Sequence, residues 1–278
     1  MTSHSPLPVE QRDIHFPIAS VQLRDWHPKG PHVSQLFNAL SLFFPEGEQF
    51  FIDTVRHYRH RITDPKLLQE VKGFIGQEAM YGREHRAYNS ALAEAGYPAL
   101  ELERKAVKQL ELGRKLLPSS GQLAATIALE HFTAILAEVL LSDDSVLENT
   151  PPAMAALWRW HGIEETEHKA VAFDVYRAVV GTGLKAYLLR CSIMLSASIR
   201  FLVQSIYTHY RLLKHDGLQR DWKGWRAYLH FVFVRPGFLR RIALPWLGYF
   251  RPGFHPWKKD NRHHVERWKA QYTSRQAA

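Results

Sequence analysis

The sequence predicts an all-α protein, in which a four-helix bundle is preceded by an N-terminal arm and followed by a helical extension. Apolar residues recur at spacings of three and four along most of the chain, which is the period of amphipathic helices. Prolines stand where new helices can begin, at Pro45 and at Pro151-Pro152. At 278 residues and 46% apolar content, the chain is long enough to bury a large core.

The helices follow one another with short connections. Residues 1–30 are rich in proline and polar residues and predict an extended arm. The bundle is expected over residues 31–182 and the extension over residues 183–278. Helix 122–141 is almost entirely small and apolar, which indicates burial on most sides. The predicted helices cover residues 32–44, 46–62, 65–95, 99–117, 122–141, 153–180 and 183–210.

A single cysteine, Cys191, excludes an intrachain disulfide and a cysteine-based metal site. Residues 1–16 contain no apolar signal segment, and we therefore expect a cytoplasmic protein. Any metal ion must be held by His, Glu, Asp or Tyr, which suits iron, manganese or zinc.

Charge is distributed unevenly along the chain. Residues 183–278 carry 18 Lys/Arg against 4 Asp/Glu, a net +14, whereas the preceding residues carry a net −5. Five of the eight tryptophans lie in this basic part, a combination that suits peripheral contact with an anionic membrane. No nucleic-acid recognition motif accompanies the charge, and nucleic acid is not an expected partner. The apolar run between Arg190 and Arg200 is nine residues, too short for a membrane span, so we expect this helix to pack on the bundle.

The most informative motif lies in helix 153–180. His161, Glu165 and His168 are four and three residues apart, so they lie within roughly 60° of one another on one helix face. All three side-chain types coordinate transition metals. The spacing therefore predicts part of a metal site.

Three other helices offer matching residues. Helix 65–95 carries Glu78, Tyr81 and His85 on one face, at the reversed spacing. Helix 122–141 contains one carboxylate, Glu130, and helix 46–62 carries Glu48 before a double phenylalanine. A lone buried carboxylate costs several kcal/mol unless it is paired or metal-bound.

This set matches the ligand order of ferritin-like dinuclear carboxylate bundles, in which two helices give a Glu and two give Glu-x-x-His. The sequence departs from that pattern at Tyr81, where histidine is expected. Either the Tyr81 phenolate is a ligand, which would favour the ferric state, or His85 replaces it one turn later. Tyr81 is also the candidate catalytic residue. By contrast, Glu84, Glu164 and Glu167 are expected to be solvent-exposed charges.

At these residues the chain resembles a bacterial family of predicted metal-dependent hydrolases. The resemblance covers residues 14–260 and includes residues 44–48, 77–89, 128–131, 164–168 and 252–257. The triplet His161, Glu165 and His168 is also similar to that of di-iron aminoarene N-oxygenases. The resemblance implies a non-haem site with two metal ions.

Two enzyme classes and one non-enzymatic role fit this pattern. We expect an O₂-activating di-iron oxidoreductase that acts on an apolar or aromatic small molecule with an external electron donor. The alternative is a hydrolase with a metal-activated water. Hydrolases of that kind usually take ligands from loops at strand ends, so the helical pattern favours oxidation. Metal storage or a scaffold is the third role. A second copy of the chain is a further candidate partner.

Overall fold

The computed structural model describes residues 5–276, which contain eleven α-helices, four short 3-10 segments and no β-strand. The prediction of an all-α protein is confirmed. Residues 1–4 of the predicted arm and residues 277–278 of the predicted extension lie outside the described residues. The helices are α1 (Pro31–Ser41), α2 (Phe44–Tyr58), α3 (Pro65–Glu94), α4 (Ala99–Leu116), α5 (Ser119–Ser142), α6 (Pro152–His168), α7 (Val171–Val179), α8 (Leu184–His215), α9 (Trp222–Phe233), α10 (Phe238–Gly248) and α11 (Arg262–Gln276).

Four of these helices contact one another in a ring: α2 packs on α3, α3 on α6, α6 on α5, and α5 on α2. Prolines begin three of them, since Pro45, Pro65 and Pro152 lie in first turns, where a missing N–H is harmless. Asp64 caps α3 by accepting hydrogen bonds from the backbone N–H groups of Lys66 and Leu67. The ring contains every helix for which metal ligands were predicted.

The core of the described residues consists of two apolar clusters. In α3, Phe74 belongs to one cluster and Tyr81 to the other, and Glu78 lies between them in sequence. In α5, Glu130 likewise lies between Ala128 of one cluster and Ile135 of the other. The predicted carboxylates therefore form a polar layer between two apolar regions.

The prediction of one continuous helix over residues 153–180 is wrong. The structure ends α6 at His168 and begins α7 at Val171, with a turn at Lys169 and Ala170. The buried Lys169 ammonium donates hydrogen bonds to the Lys259 carbonyl at 2.8 Å and to Asn261 Oδ1 at 2.7 Å. The turn thus coincides with a tertiary contact to the segment before α11.

Residues 5–17 run without helix along α3. Two glycines of α3 make this approach close: a Cβ at Gly73 would lie 2.2 Å from the Val9 carbonyl oxygen, and one at Gly76 would lie 2.5 Å from the Gln11 side-chain oxygen. A larger residue at Gly73 would displace the backbone of the arm, and one at Gly76 would displace the Gln11 side chain.

The extension packs along the ring. Helix α8 contacts α1 and α5, α9 contacts α1, α10 contacts α5 and α9, and α11 contacts α6. Within residues 5–276, two helices, α5 and α8, are long and apolar enough to cross a membrane by length and composition. The most apolar stretch of α5 is 72% buried inside the protein, which explains its composition, whereas that of α8 is only 22% buried.

Candidate metal centre

Three of the predicted carboxylates converge from three helices: Glu48 from α2, Glu78 from α3 and Glu130 from α5. All three are buried. None of their six carboxylate oxygens accepts a hydrogen bond from a described residue. Burial, together with the negative charge of Glu165, raises the pKa of all three groups well above the usual range. Such orphaned carboxylates indicate a site built for cations.

The fourth carboxylate, Glu165 of α6, lies between the two histidines of its own helix. Its Oε1 lies 3.0 Å from His161 Nε2, and its Oε2 lies 3.6 Å from His168 Nε2. Thr133 of α5 donates a hydrogen bond of 2.6 Å to Oε2. Burial alone would raise the pKa of Glu165, but the hydrogen bonds and charges of His161 and His168 outweigh it and hold this pKa well below the usual range. Glu165 therefore joins the two halves of the centre.

Tyr81 also reaches the centre. Its hydroxyl lies 3.3 Å from His168 Nε2 and 3.4 Å from Glu165 Oε1, and its ring stacks on His161 with centroids 4.4 Å apart. Burial and the neighbouring carboxylates raise the pKa of Tyr81 well above its usual value. Without cations nearby, the hydroxyl keeps its proton and acts as a donor.

His85 lies in a chain of hydrogen bonds that determines which nitrogens of the His85 and His161 rings carry protons. Ser41 Oγ donates to Asn89 Oδ1 at 2.7 Å, so it accepts from His85 Nδ1 at 2.9 Å. His85 Nε2 is then an acceptor for His161 Nδ1–H at 2.8 Å. The free lone pair of His161 Nε2 therefore faces Glu165 Oε1, a pair that requires a proton or a metal ion between its members.

His168 is oriented in the same way from the opposite side. Its Nδ1–H donates to Gln77 Oε1 at 2.9 Å, which leaves Nε2 free to face the carboxylates. Gln77 Nε2 donates to Glu167 at 2.8 Å, and Arg12 of the arm forms a bidentate pair with the same carboxylate at 2.7 and 2.8 Å. An arginine at the start of the chain thus supports a candidate ligand.

The expectation that Glu84, Glu164 and Glu167 are solvent-exposed is wrong, because all three are buried. Glu164 accepts hydrogen bonds from Arg12 at 3.1 Å and from Trp160 Nε1 at 3.0 Å, and burial still raises its pKa to about 8. Glu84 accepts a hydrogen bond of 3.0 Å from the Phe16 backbone N–H. The arm covers the helix faces that would otherwise meet water.

The donors fall into two groups that could each hold a metal ion. In one, Glu78, Glu130 and His168 bring one donor atom each within 4.8 Å of one another; in the other, Glu48, His85 and His161 do the same. Together with Glu165, the four carboxylates carry a charge of −4 when ionised, which two divalent cations would balance. The residues present therefore fit a centre with two metal ions, and all eight predicted site residues lie in or beside it.

Gly82 makes room for Glu48. A Cβ at Gly82 would lie 2.7 Å from Glu48 Oε2, closer than side-chain carbons approach in folded proteins. A larger residue at position 82 would therefore displace the carboxylate of Glu48, one of the candidate ligands.

Two apolar cavities end at the centre. The larger, about 480 Å³, has His161 and Glu165 at its inner end and otherwise apolar walls from α1, α5, α8 and α10. The smaller, about 180 Å³, reaches Glu48 and Glu165 between α2, α4, α5 and α8. Glu165, Phe132 and Thr133 line both cavities. Both cavities therefore bring apolar walls to the same carboxylate, Glu165.

Sequence reasoning missed several residues that support the centre. Gln77 lies one turn before Tyr81 on the same face of α3, a spacing that could have revealed it. Thr133 lies three residues after Glu130, which offers a weaker signal. Arg12 and Gly82 gave none, because their roles depend on which segments of the chain meet in space.

The packing of four helices around buried glutamates and histidines defines the class of protein. It is an all-α protein with two adjacent groups of residues that could each hold a metal ion. Within that class, the chain belongs to the family described as predicted metal-dependent hydrolase, whose model matches residues 10–260. The resemblance drawn from the motifs is confirmed at the level of this family. No curated protein and no solved structure matches the chain.

Proposed function

We propose that this protein is a metal-dependent hydrolase with two metal ions, acting on an apolar small molecule. The observation that carries the proposal is the position of Glu165, which joins both ligand groups and also closes the inner end of the 480 Å³ cavity. A molecule in that cavity lies against the centre. The family description supports hydrolysis over the oxidation that the sequence pattern favoured.

Bound metal ions would supply one of two chemistries: divalent ions lower the pKa of a coordinated water and polarise the bond to be cleaved, whereas two iron ions with an electron donor activate dioxygen. The residues of this chain set the conditions for either. Glu48, Glu78, Glu130, Glu165, His161 and His168 would hold the ions. The apolar cavity walls exclude bulk water and orient an apolar substrate.

Tyr81 and His85 take different roles in this proposal. The order of hydrogen bonds supports His85 as the residue that holds His161, because its Nε2 accepts the His161 proton. The Tyr81 hydroxyl, 3.4 Å from Glu165 Oε1, is then the additional donor at the centre. In hydrolysis it would donate a hydrogen bond to the oxygen that gains charge, and it is our candidate catalytic residue.

Oxidation of an apolar substrate by a di-iron centre is the second candidate. The observation in its favour is the donor set itself, in which anionic oxygen donors outnumber the histidines, with a tyrosine hydroxyl nearby. Hard anionic donors stabilise oxidised iron. This candidate also requires an external electron donor.

The deciding experiment begins with the metal content of protein purified without added metal. We expect about two metal ions per chain, and about one or fewer in Glu130→Gln. The metal-free protein is then reloaded with Zn²⁺, Mn²⁺ or Fe²⁺ and tested on a panel of apolar esters, lactones and amides in H₂¹⁸O. Hydrolysis with ¹⁸O in the product and no O₂ consumption is the expected result.

Three outcomes would overturn the proposal. Consumption of O₂ by the Fe²⁺ form, with a visible phenolate-to-iron band that is lost in Tyr81→Phe, would establish the oxidative candidate. Two bound metals without turnover of either kind would favour a storage or scaffold role. Unchanged metal content in Glu130→Gln would show that the ligand assignment is wrong.

A further inference from the structure

Helix α8 presents an apolar stripe to the outside of the protein. Its most apolar stretch is as hydropathic as that of the core helix α5, with mean hydropathies of 1.5 and 1.6, yet only 22% of it is buried. The exposed residues recur every three or four positions and therefore lie along one side of the helix. They include Leu188, Leu195, Ile199, Leu202, Val203 and Ile206.

The stripe continues onto α10 around the mouth of the larger cavity. Leu202 and Ile206 of α8 and Leu239 and Leu247 of α10 line this cavity, and all four are exposed. We call the exposed apolar residues of these two helices the α8–α10 face. The cavity that ends at Glu165 therefore opens through an apolar surface rather than a polar one.

The surroundings of this face are basic. Helices α8, α9 and α10 contain nine Lys/Arg residues and no Asp or Glu. Arg200, Arg235 and Arg240 are exposed and follow directly after the exposed apolar residues Ile199, Val234 and Leu239. Of the other Lys/Arg residues, Arg190 is buried, and Arg211 and Arg241 pair with Glu101 and Asp143. Exposed apolar residues interleaved with exposed cations are complementary to a bilayer with anionic headgroups.

The opposite side of α8 is fixed to the protein. His209 Nε2 is hydrogen-bonded to the His32 carbonyl at 2.8 Å, and Arg190 donates hydrogen bonds to the carbonyls of Tyr249 and Arg251. A helix held along its length in this way presents only one side to lipid, so it lies in the plane of the membrane surface. A symmetric copy of the chain is a poor occupant of the face, because like charges would meet across a two-fold axis.

We propose that the α8–α10 face docks on an anionic lipid bilayer and that the larger cavity takes its substrate, an apolar molecule dissolved in the bilayer, through this face. The substrate part of the inference rests on the proposed function, whereas the docking part does not. Docking would place the cavity mouth in the acyl-chain region and spare an apolar substrate the passage through water.

Vesicle sedimentation of the full chain tests the docking without metal or turnover. We expect binding to phosphatidylcholine vesicles that contain phosphatidylglycerol, and weaker binding to pure phosphatidylcholine or at high salt. Ile199→Asp should lower the partition coefficient about tenfold. The matched control is Leu100→Asp in α4, which introduces the same charge at the same exposure, 63% against 64%. Equal effects of the two variants, or no binding to either vesicle, would overturn the proposal.

A fluorescent probe at the cavity mouth tests the orientation. In a Cys191→Ser background, an environment-sensitive dye on Leu202→Cys should shift to the blue when anionic vesicles are added, and the same dye on Leu100→Cys should not. Binding without a shift at Leu202 would show that another surface docks. A stable dimer in sedimentation velocity that dissociates in Ile199→Asp would instead assign the face to a second copy. Failure to hydrolyse any substrate, with these shifts intact, would overturn the proposed function alone.

Discussion

At the residue scale, the histidines and the carboxylates of the centre differ in their hydrogen bonds. Neighbouring side chains orient the histidine rings, whereas three of the carboxylates have no hydrogen-bond donor. Ser41 fixes Nδ1 of His85, whose Nε2 in turn holds His161, and Gln77 fixes Nδ1 of His168. The Nε2 atoms of His161 and His168 therefore face the centre. Glu48, Glu78 and Glu130 receive no hydrogen bond from a described residue. Metal ions would satisfy these carboxylates, whereas without metal the burial of all three groups favours their protonated forms.

The first prediction concerns Gly82→Ala. Its Cβ would lie 2.7 Å from Glu48 Oε2, so the carboxylate must move away from His161 and His85. We expect the variant to keep about one metal ion per chain instead of about two, as measured by plasma mass spectrometry.

The control is Gly47→Ala, one residue before Glu48, where a Cβ would meet nothing within 4 Å. This variant should bind metal like the unaltered protein. Two ions in Gly82→Ala would show that Glu48 is not a ligand.

The second prediction separates the roles of His85 and Tyr81. If His85 acts by accepting the His161 proton, His85→Gln retains an acceptor and should retain both metal ions. His85→Leu removes the acceptor and should lower metal affinity about 10- to 100-fold. Isothermal titration with Zn²⁺ measures both affinities. An equal loss in the two variants would assign His85 as a direct ligand.

The site residues that could be predicted from the sequence are those marked by a local pattern. Glu165 and His168 share a face of one helix, and Glu130 is conspicuous within an apolar run, so both observations are local. The burial of Glu164 and Glu167 could not be predicted, since it depends on Arg12, 155 residues from Glu167 along the chain. A charged residue on a helix shows its exposure only when the segment that covers it is known.

At the scale of elements, α5 and α6, which carry Glu130, His161, Glu165 and His168, are both tied to the segment before α11 near their C-terminal ends. Glu138 of α5 accepts a hydrogen bond of 2.6 Å from Asn261 and lies 3.1 Å from Lys259 Nζ, so it ties α5 to the segment before α11. Lys169, directly after α6, donates to the same segment. One loop therefore holds both helices.

The third prediction is the pH dependence of this anchor. Burial raises the pKa of Glu138, but the nearby His264, the hydrogen bond from Asn261 and the charge of Lys259 lower this pKa to about 2. A folded-state pKa below the unfolded value near 4.5 means that the ionised group stabilises the fold above that pH and loses this contribution as the pH falls towards 2. Glu138→Gln should lower the free energy of unfolding by about 1 kcal/mol at pH 7, allowing for partial solvent exposure, and by less at about pH 3.

Urea unfolding at several pH values measures the difference between the variant and the unaltered protein. Glu111→Gln, at an exposed position of α4, is the control and should change the free energy of unfolding by less than about 0.5 kcal/mol. A constant difference for Glu138→Gln across the pH range would contradict the prediction.

Element boundaries followed from the sequence where a local signal marked them. Prolines placed the starts of α2 and α6 within two residues of their structural positions. The turn after His168 carries neither proline nor glycine, and it coincides with the hydrogen bonds of the buried Lys169 to Lys259 and Asn261. Such a break is a tertiary effect that periodicity does not record.

At the scale of the whole molecule, the larger cavity and the basic residues lie on the side of the protein formed by α8, α9 and α10. The larger cavity is lined by Glu165 and by exposed residues of α8 and α10, and helices α8, α9 and α10 carry no acidic residue. The sequence revealed the basic composition of residues 183–278. It could not reveal that the apolar side of α8 faces outward, since a core helix such as α5 has the same hydropathy.

The fourth prediction tests the cavity as the route to the centre. Ala243 is exposed and lines the mouth of the cavity, so Ala243→Trp should fill the mouth without strain in the core. We expect affinity for an apolar fluorophore such as N-phenyl-1-naphthylamine to fall about tenfold while metal content is unchanged.

Ala95→Trp adds the same ring at an exposed position beyond the end of α3 and should leave fluorophore binding intact. A similar loss in both variants, or no loss in Ala243→Trp, would place the fluorophore elsewhere.

The contact between Arg12 and Glu167 also has a kinetic consequence. Its partners are 155 residues apart, so closing this contact orders a very long loop and belongs among the late events of folding. Until the arm docks, Glu167 is held by Gln77 but lacks its bidentate partner Arg12, and Glu164 lacks the same arginine. The hydrogen bonds that orient His168 would therefore become fully supported only in this late step.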